Sequence, residues 1–411
     1  MIRINRHVLP NGLRLLHYYN ATTQMVALNI IYDVGSRDED PLYTGLAHLT
    51  EHLMFTGSTH APAFVAALEE AGGTSNAGTN CDFTHYYEVL PACNVETAFW
   101  LESDRMMNLS LSRSSIETQK SVVIEEFKQR YLNVPYGDSS HLLSALAFRV
   151  HPYRTPVIGA SADHIQQIPE SEIRRFHSTY YVPSNAILCV TGNITFERAL
   201  ELTQKWFDSL PPGKRPARNL PQEPPQSDPR ILEVSRCVPH TAIFRAYRMC
   251  EASSPLFPAT DLLTDVLANG KSSRFFQNLV MKTGRFTSLD ASVLGTLEPG
   301  LLLITAYLAP GASVADAQAD IDEQIHELIS RGIPSRELEK CVNKYASNML
   351  FETENYLKKA FRVSFYELMG DAQRFNHVVD LYRRVTPEQV RQVARQVLSP
   401  SNCSTLIYHP L

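Results

Sequence analysis

The sequence predicts an α+β fold of two homologous lobes, each a largely antiparallel sheet with packed helices. Three observations carry this. β-rich and helical stretches alternate through both halves of the 411-residue chain. Hairpin signals such as Pro10-Asn11-Gly12 lie between extended runs, which favours antiparallel pairing. A Pro-dense, apolar-poor stretch at 211–229 divides the chain almost in half, with matching patterns on either side. The expected organisation is 1–210, a semi-rigid linker at 211–229, and 230–411; a chain this long exceeds one ordinary core.

In chain order, His7–His17 reads as strand, turn and strand, and Met25–Val34 as an apolar strand. Thr74–Leu90 is a further extended run in which Thr79, Thr84 and Tyr87 read as structural strand residues. Ser114 followed by Glu117 has capping-box spacing and predicts a long helix over 114–131. Pro183-Ser184-Asn185 then leads into the strand Ala186–Gly192, after a helix opened by Pro169-Glu170. The same order recurs at Pro387-Glu388 and Pro400-Ser401-Asn402, with the Pro-Ser-Asn signals 217 residues apart. Setting Gly57 on Gly270, an offset of 213, lays the segment before Gly57 on a second helical segment. The near agreement of the offsets indicates duplication.

That first segment contains His48-Leu49-Thr50-Glu51-His52. On a helix, i and i+4 leave the same face one turn apart, so both imidazoles can bind one small cation. Glu51, about 60° around from His48, can reach a water at that cation without ligating it. The order is H-x-x-E-H, the reverse of the commoner H-E-x-x-H zinc motif. A catalytic zinc needs a third protein ligand and an open position. Within 114–131, Ile116, Val123 and Phe127 form an apolar stripe. Glu126 falls about 80° from that stripe, on its shoulder, whereas Glu125 lies nearly opposite and should be solvated. Periodicity therefore favours Glu126. In the second repeat the positions of His48, Glu51 and His52 become Asp261, Thr264 and Asp265, so one site per chain is expected.

GLAHLTEHLMFTGS (Gly45–Ser58), SVVIEEF (Ser121–Phe127) and AGGTSNAGTNCDFTHYYEVLP (Ala71–Pro91) together resemble the pitrilysin/insulysin family of zinc endopeptidases. The resemblance is nearest to its short branch, which includes bacterial processing-type peptidases and the catalytic subunit of mitochondrial processing peptidase. It implies two lobes forming half of a clam-shell chamber. It also implies Zn2+ held by His48, His52 and Glu126, which follows His52 by 74 positions, and Glu51 as general base. Asn76 and Ala77 would lie on an edge strand along which a peptide is laid. Two departures stand out. Gln119 replaces a Glu found in many relatives seven residues before the third ligand; it could orient Glu126 by hydrogen bonding without adding charge. Val280 and Thr287 stand where many relatives carry an Arg and a Tyr that grip the substrate backbone, so another residue or a partner subunit would do that work. Arg274 matches a family position and reads as structural. The implied activity is zinc-dependent hydrolysis of peptides or unfolded segments, by a homodimer or a heterodimer with a related subunit. The alternative is a non-catalytic or partner-dependent subunit.

Composition narrows the classes. A net charge of −5 and pI near 6.3 give no basic footprint for nucleic acid or anionic membrane. The longest apolar runs, such as Gly300–Ala309, are strand-length, short of a membrane span. The N-terminal residues lack an apolar signal region, which makes the cytoplasm the expected compartment unless a targeting segment has been removed. Seven scattered cysteines without C-x-x-C suit a reducing environment and read as buried small hydrophobes.

Overall fold

The computed structural model describes residues 2–411. One compact unit comprises the chain up to Lys128, Thr155–Leu220 and Leu350–His377; the other comprises Gln129–Arg154, Pro221–Met349 and Val378–Leu411. Each unit is thus built mainly from one half of the chain and takes a segment from the other.

The first unit holds a six-stranded sheet: β1 (Asn5–Val8), β2 (Arg14–Tyr19), β3 (Met25–Tyr32), β4 (Thr74–Thr79), β5 (Thr84–Pro91) and β6 (Ala186–Gly192), in the order β1-β2-β6-β3-β5-β4. Only β2 and β6 pair in parallel. The second unit holds β7 (Arg230–Arg236), β8 (Ala242–Arg248), β9 (Phe286–Val293), β10 (Leu301–Leu308) and β11 (Cys403–Pro410), ordered β7-β11-β8-β10-β9, with β7 and β11 parallel. Strand for strand, β2-β6-β3-β5-β4 matches β7-β11-β8-β10-β9. The repeat seen in the sequence is a repeat of topology, and both sheets are largely antiparallel.

Asn185 and Asn402 show how closely the halves correspond. Each ends a 3-10 turn, and each donates its side-chain amide to the carbonyl five residues earlier, Tyr180 (3.0 Å) and Val397 (2.8 Å). The same amide reaches the carbonyl at the far end of the neighbouring strand, Asp33 after β3 (3.2 Å) and Arg248 of β8 (2.9 Å). These bonds satisfy otherwise orphaned backbone groups where helix passes to strand.

β3 and β6 are the central strands, and nearly all their residues are buried, which explains their unbroken apolar character. The helix Tyr356–Leu368 packs on both. Its Ala360 and Val363 join Leu16, Ile187 and Cys189 in one buried cluster, where a side chain such as Val363 contributes about 1.5–3 kcal/mol. In the second unit the helix Ser139–Ala147 packs on β8 and β11 in the same way. These two helices are the exchanged segments.

Local readings needed correction in three places. The extended run Thr74–Leu90 is two strands, because Asn80 Oδ1 accepts the amides of Asp82 and Phe83 (2.7 and 2.8 Å) and closes an Asx turn. The helix expected from Ser114 is Arg113–Phe127, continued by a π-helical turn over Lys128–Leu132, and its cap is Ser112, whose hydroxyl accepts from the Ser115 amide (3.1 Å). All seven cysteines are free, but Cys93 and Cys237 are exposed rather than buried. Residues 211–227 form neither helix nor strand, as the Pro content requires. Among the described residues, no helix is long and apolar enough to cross a membrane.

Candidate metal centre

The segment carrying the pentad is the helix Leu46–Leu53, which buries Leu46, Ala47, Leu49, Thr50 and Leu53. His48, Glu51 and His52 occupy its opposite, half-buried face. The helix opens at Gly45, whose φ of +91° is left-handed. A Cβ there would lie 2.7 Å from the Ile158 carbonyl oxygen, so only glycine fits. Glycine offers no capping side chain, and the loop supplies one instead. Glu39 accepts the Gly45 amide at 2.8 Å and the Ala47 amide at 2.7 Å. Burial pushes the Glu39 carboxyl up to about 8, while the two amides pull it down. No short-range capping pattern marks Glu39, because it stands six residues before the N-cap.

The helix Arg113–Phe127 packs against this helix, and its stripe of Ile116, Val123 and Phe127 is buried. Lys120, also buried in that stripe, was not anticipated; its ammonium reaches the Gln166 carbonyl (3.1 Å) and Glu117 (3.3 Å). Glu126 Oε2 comes to 3.3 Å from His52 Nε2 and 3.8 Å from His48 Nε2. The two imidazoles stand edge to face, with centroids 4.8 Å apart. Glu125 points away and pairs with Lys128 at 2.7 Å. Gln119 is half-buried two turns before Glu126.

Among the described residues, His48, His52 and Glu126 are the one group of three or more potential ligands close enough to hold a metal, with ligand atoms all within 4.8 Å. Neighbouring donors of a tetrahedral zinc at 2.0–2.2 Å stand about 3.3–3.6 Å apart. Rotamer adjustments of about 1 Å therefore suffice, and two imidazoles with one carboxylate are a donor set that suits zinc. The residues fit the ion.

Glu51 sits beside this group. Burial raises its carboxyl above the usual range, opposed by a hydrogen bond from the Thr79 hydroxyl (2.5 Å) and by His52. Thr79, expected to be structural, thus touches the candidate base; its oxygen also lies 3.3 Å from the Thr84 hydroxyl. Thr79 ends β4, the outermost strand of its sheet. Asn76 and Ala77 lie on that strand opposite Tyr87 and Tyr86. Asn76 is exposed, and its Oδ1 accepts the Ala77 amide at 2.8 Å.

In the second unit, Asp261 accepts from the Tyr382 hydroxyl (2.6 Å), Thr264 donates to the Asp261 carbonyl (2.7 Å), and Asp265 accepts from the Asn269 side chain. Val280 is half-buried, and the exposed Thr287 donates its hydroxyl to the Tyr307 carbonyl (3.1 Å). Arg274 is fixed on Glu337 at 2.8 Å, a structural pairing.

Two family models match the chain. The family model described as insulinase (peptidase family M16) matches residues 14–161, and the one described as peptidase M16 inactive domain matches 167–345. The zinc protease PqqE of Helicobacter pylori is 27% identical, over 98% of this chain and 92% of the relative. The uncharacterized zinc protease YmxG of Bacillus subtilis is 25% identical, over 98% of both. The crystal structure of a protease from Helicobacter pylori superposes with a TM-score of 0.93 at 26% identity, covering 100% of both chains.

Proposed function

Because this chain belongs to the insulinase, or M16, family of peptidases, we propose that it is a zinc-dependent endopeptidase cleaving peptides or unfolded protein segments. The observation that carries the reading is the convergence of His48 and His52 with Glu126 of a second helix, beside Glu51. His48, His52 and Glu126 would hold the ion. When bound, zinc supplies Lewis acidity, acidifying a water and drawing charge from a carbonyl oxygen. Glu51 takes the proton as water attacks the scissile carbonyl and returns it to the leaving amine. Thr79 aims that carboxyl, and Gln119 lies where it can orient Glu126.

The substrate adds a strand along β4 beside Asn76 and Ala77. Swinging the Asn76 side chain away frees the Ala77 amide for a substrate carbonyl. Main-chain pairing of this kind favours extended segments and is indifferent to most side chains. A second reading keeps a footing in Val280 and Thr287, which offer no cationic or phenolic grip: a subunit whose activity depends on a related partner in a heterodimer, rather than a homodimer.

Metal analysis and digestion of a peptide library with wild type and Glu51→Gln test the first reading. One zinc per chain in both proteins is expected, with cleavage lost by at least 100-fold in the variant. Undiminished cleavage by Glu51→Gln would refute the assignment of the base, and an inert wild type that gains activity on mixing with a related subunit would favour the second reading.

A further inference from the structure

The loop between β3 and the pentad helix carries Asp33, Arg37 and Asp38, whose side chains are at most 3% exposed. Arg37 reaches Asp82 (2.8 Å), Asp33 (3.2 Å) and, less closely, Asp38 (3.8 Å). Three buried carboxylates outnumber this single guanidinium, and unpaired buried charge is costly. The balance comes from the Pro-rich stretch. Arg218 forks onto Asp38, with Nε at 2.6 Å and Nη2 at 3.3 Å, and its Nη1 lies 2.8 Å from Asp33. Its Nη2 also donates to the Asp33 carbonyl. Arg215 adds a contact to Asp33 at 2.9 Å but is half-exposed, so it counts for little.

The loop held in this way has two further attachments. Its Ser36 and Arg37 amides donate to the carbonyls of Asn80 (3.2 Å) and Cys81 (3.0 Å), in the turn that follows β4. One residue beyond Asp38, Glu39 caps the pentad helix. A single loop therefore joins the turn after the edge strand to the helix of His48 and His52, and its charges are completed from a stretch that sequence composition marks as a mere spacer.

We propose that the arm Arg215–Arg218 is a positioning element for the metal-binding helix, acting through Arg218 on Asp38 and Asp33 and hence on Glu39. Without Arg218 the excess carboxylates draw the loop toward water, and the cap on Gly45 and Ala47 loosens. The proposal rests on the zinc reading only for its effect on metal affinity; the loosening itself is independent of any ion.

The test uses the full-length chain as wild type, Arg218→Met, Arg215→Met and the charge-compensated pair Arg218→Met/Asp38→Asn. Hydrogen exchange is followed in the metal-free protein, and zinc affinity by competition with a chelator. In Arg218→Met the amides of residues 45–53 should exchange at least tenfold faster while those of β6 change less, and zinc should bind about tenfold more weakly, within the range for groups that orient ligands. Arg215→Met should stay within twofold of wild type, and the compensated pair should return toward it. Exchange at residues 45–53 that stays at the wild-type rate, or that rises equally in β6, overturns the proposal. Should Arg218→Met not fold, Arg218→Lys, which keeps the charge and loses the fork, should give an intermediate change at residues 45–53, and no change there overturns the proposal equally. A wild type that takes up no zinc would refute the peptidase reading, with exchange still deciding this one.

Discussion

Replacing Glu39 with Ala tests whether the pentad helix depends on a cap borrowed from its loop. The substitution leaves the Gly45 and Ala47 amides without their acceptors at 2.8 and 2.7 Å. With the carboxyl raised to about 8, Glu39 is largely protonated at pH 7, so the bonds are valued as neutral ones, about 1 kcal/mol each. The expected loss is about 2 kcal/mol, or about 4–8 °C in Tm for a unit of this size. Glu39→Gln, which resembles the protonated acid, should lose less than half as much. The pH dependence has a definite sign. A carboxyl whose folded value exceeds its ordinary 4.5 gives stability that is fully present below 4.5 and lost as pH rises through about 8. Between pH 6 and 9, wild type should therefore lose stability relative to Glu39→Gln. The assay is thermal unfolding followed by circular dichroism in chelator, so that no bound ion masks the change. A Tm of Glu39→Ala within 1 °C of wild type, or parallel pH profiles for wild type and Glu39→Gln, would refute the reasoning.

Glu126→Gln should weaken zinc binding by at least 100-fold in a chelator competition, whereas Glu125→Gln, at an exposed residue paired with Lys128, should leave it unchanged. His85 and His177 are both lowered by burial from 6.5 to about 4, so each contributes stability that is present above 6.5 and lost as pH falls toward 4. Each accounts for on the order of 3 kcal/mol, and His177→Phe, which keeps the stack on Tyr181, should shrink the acid-side drop in urea midpoint accordingly. A profile as steep as that of wild type would show that His177 is not one of the titrating groups.

Much of the fold was legible because it is written in short-range periodicity. The Pro-Asn-Gly turn, the apolar runs of β3 and β6 and the paired Pro-Ser-Asn signals each need only a few neighbouring residues to be recognised. The stripe that sets Glu126 apart from Glu125 is of the same kind, since 100° per residue fixes relative direction on a helix without knowledge of what it packs against. The missed features share one property. Ser112 displaced Ser114 as cap by only two residues, but Lys120 is buried only because the Gln166 carbonyl is there to receive it. Thr79 looked like an ordinary strand residue because its partner, Glu51, lies 28 positions away.

By itself the sequence determined the α+β class, the duplicated architecture and the chemical types gathered at the site, because residue identity and helical spacing decide which donors can share a face. Only the tertiary structure decided what holds those donors in place. Glu39 on the helix amides, Thr79 on Glu51, Arg218 on Asp38 and Asp33, and the helix Tyr356–Leu368 on β3 and β6 are all pairings between segments that local pattern treats as unrelated. Burial supplies the reason: a charge or backbone amide taken out of water must find a partner wherever the fold offers one, and periodicity carries no information about which distant segment that will be.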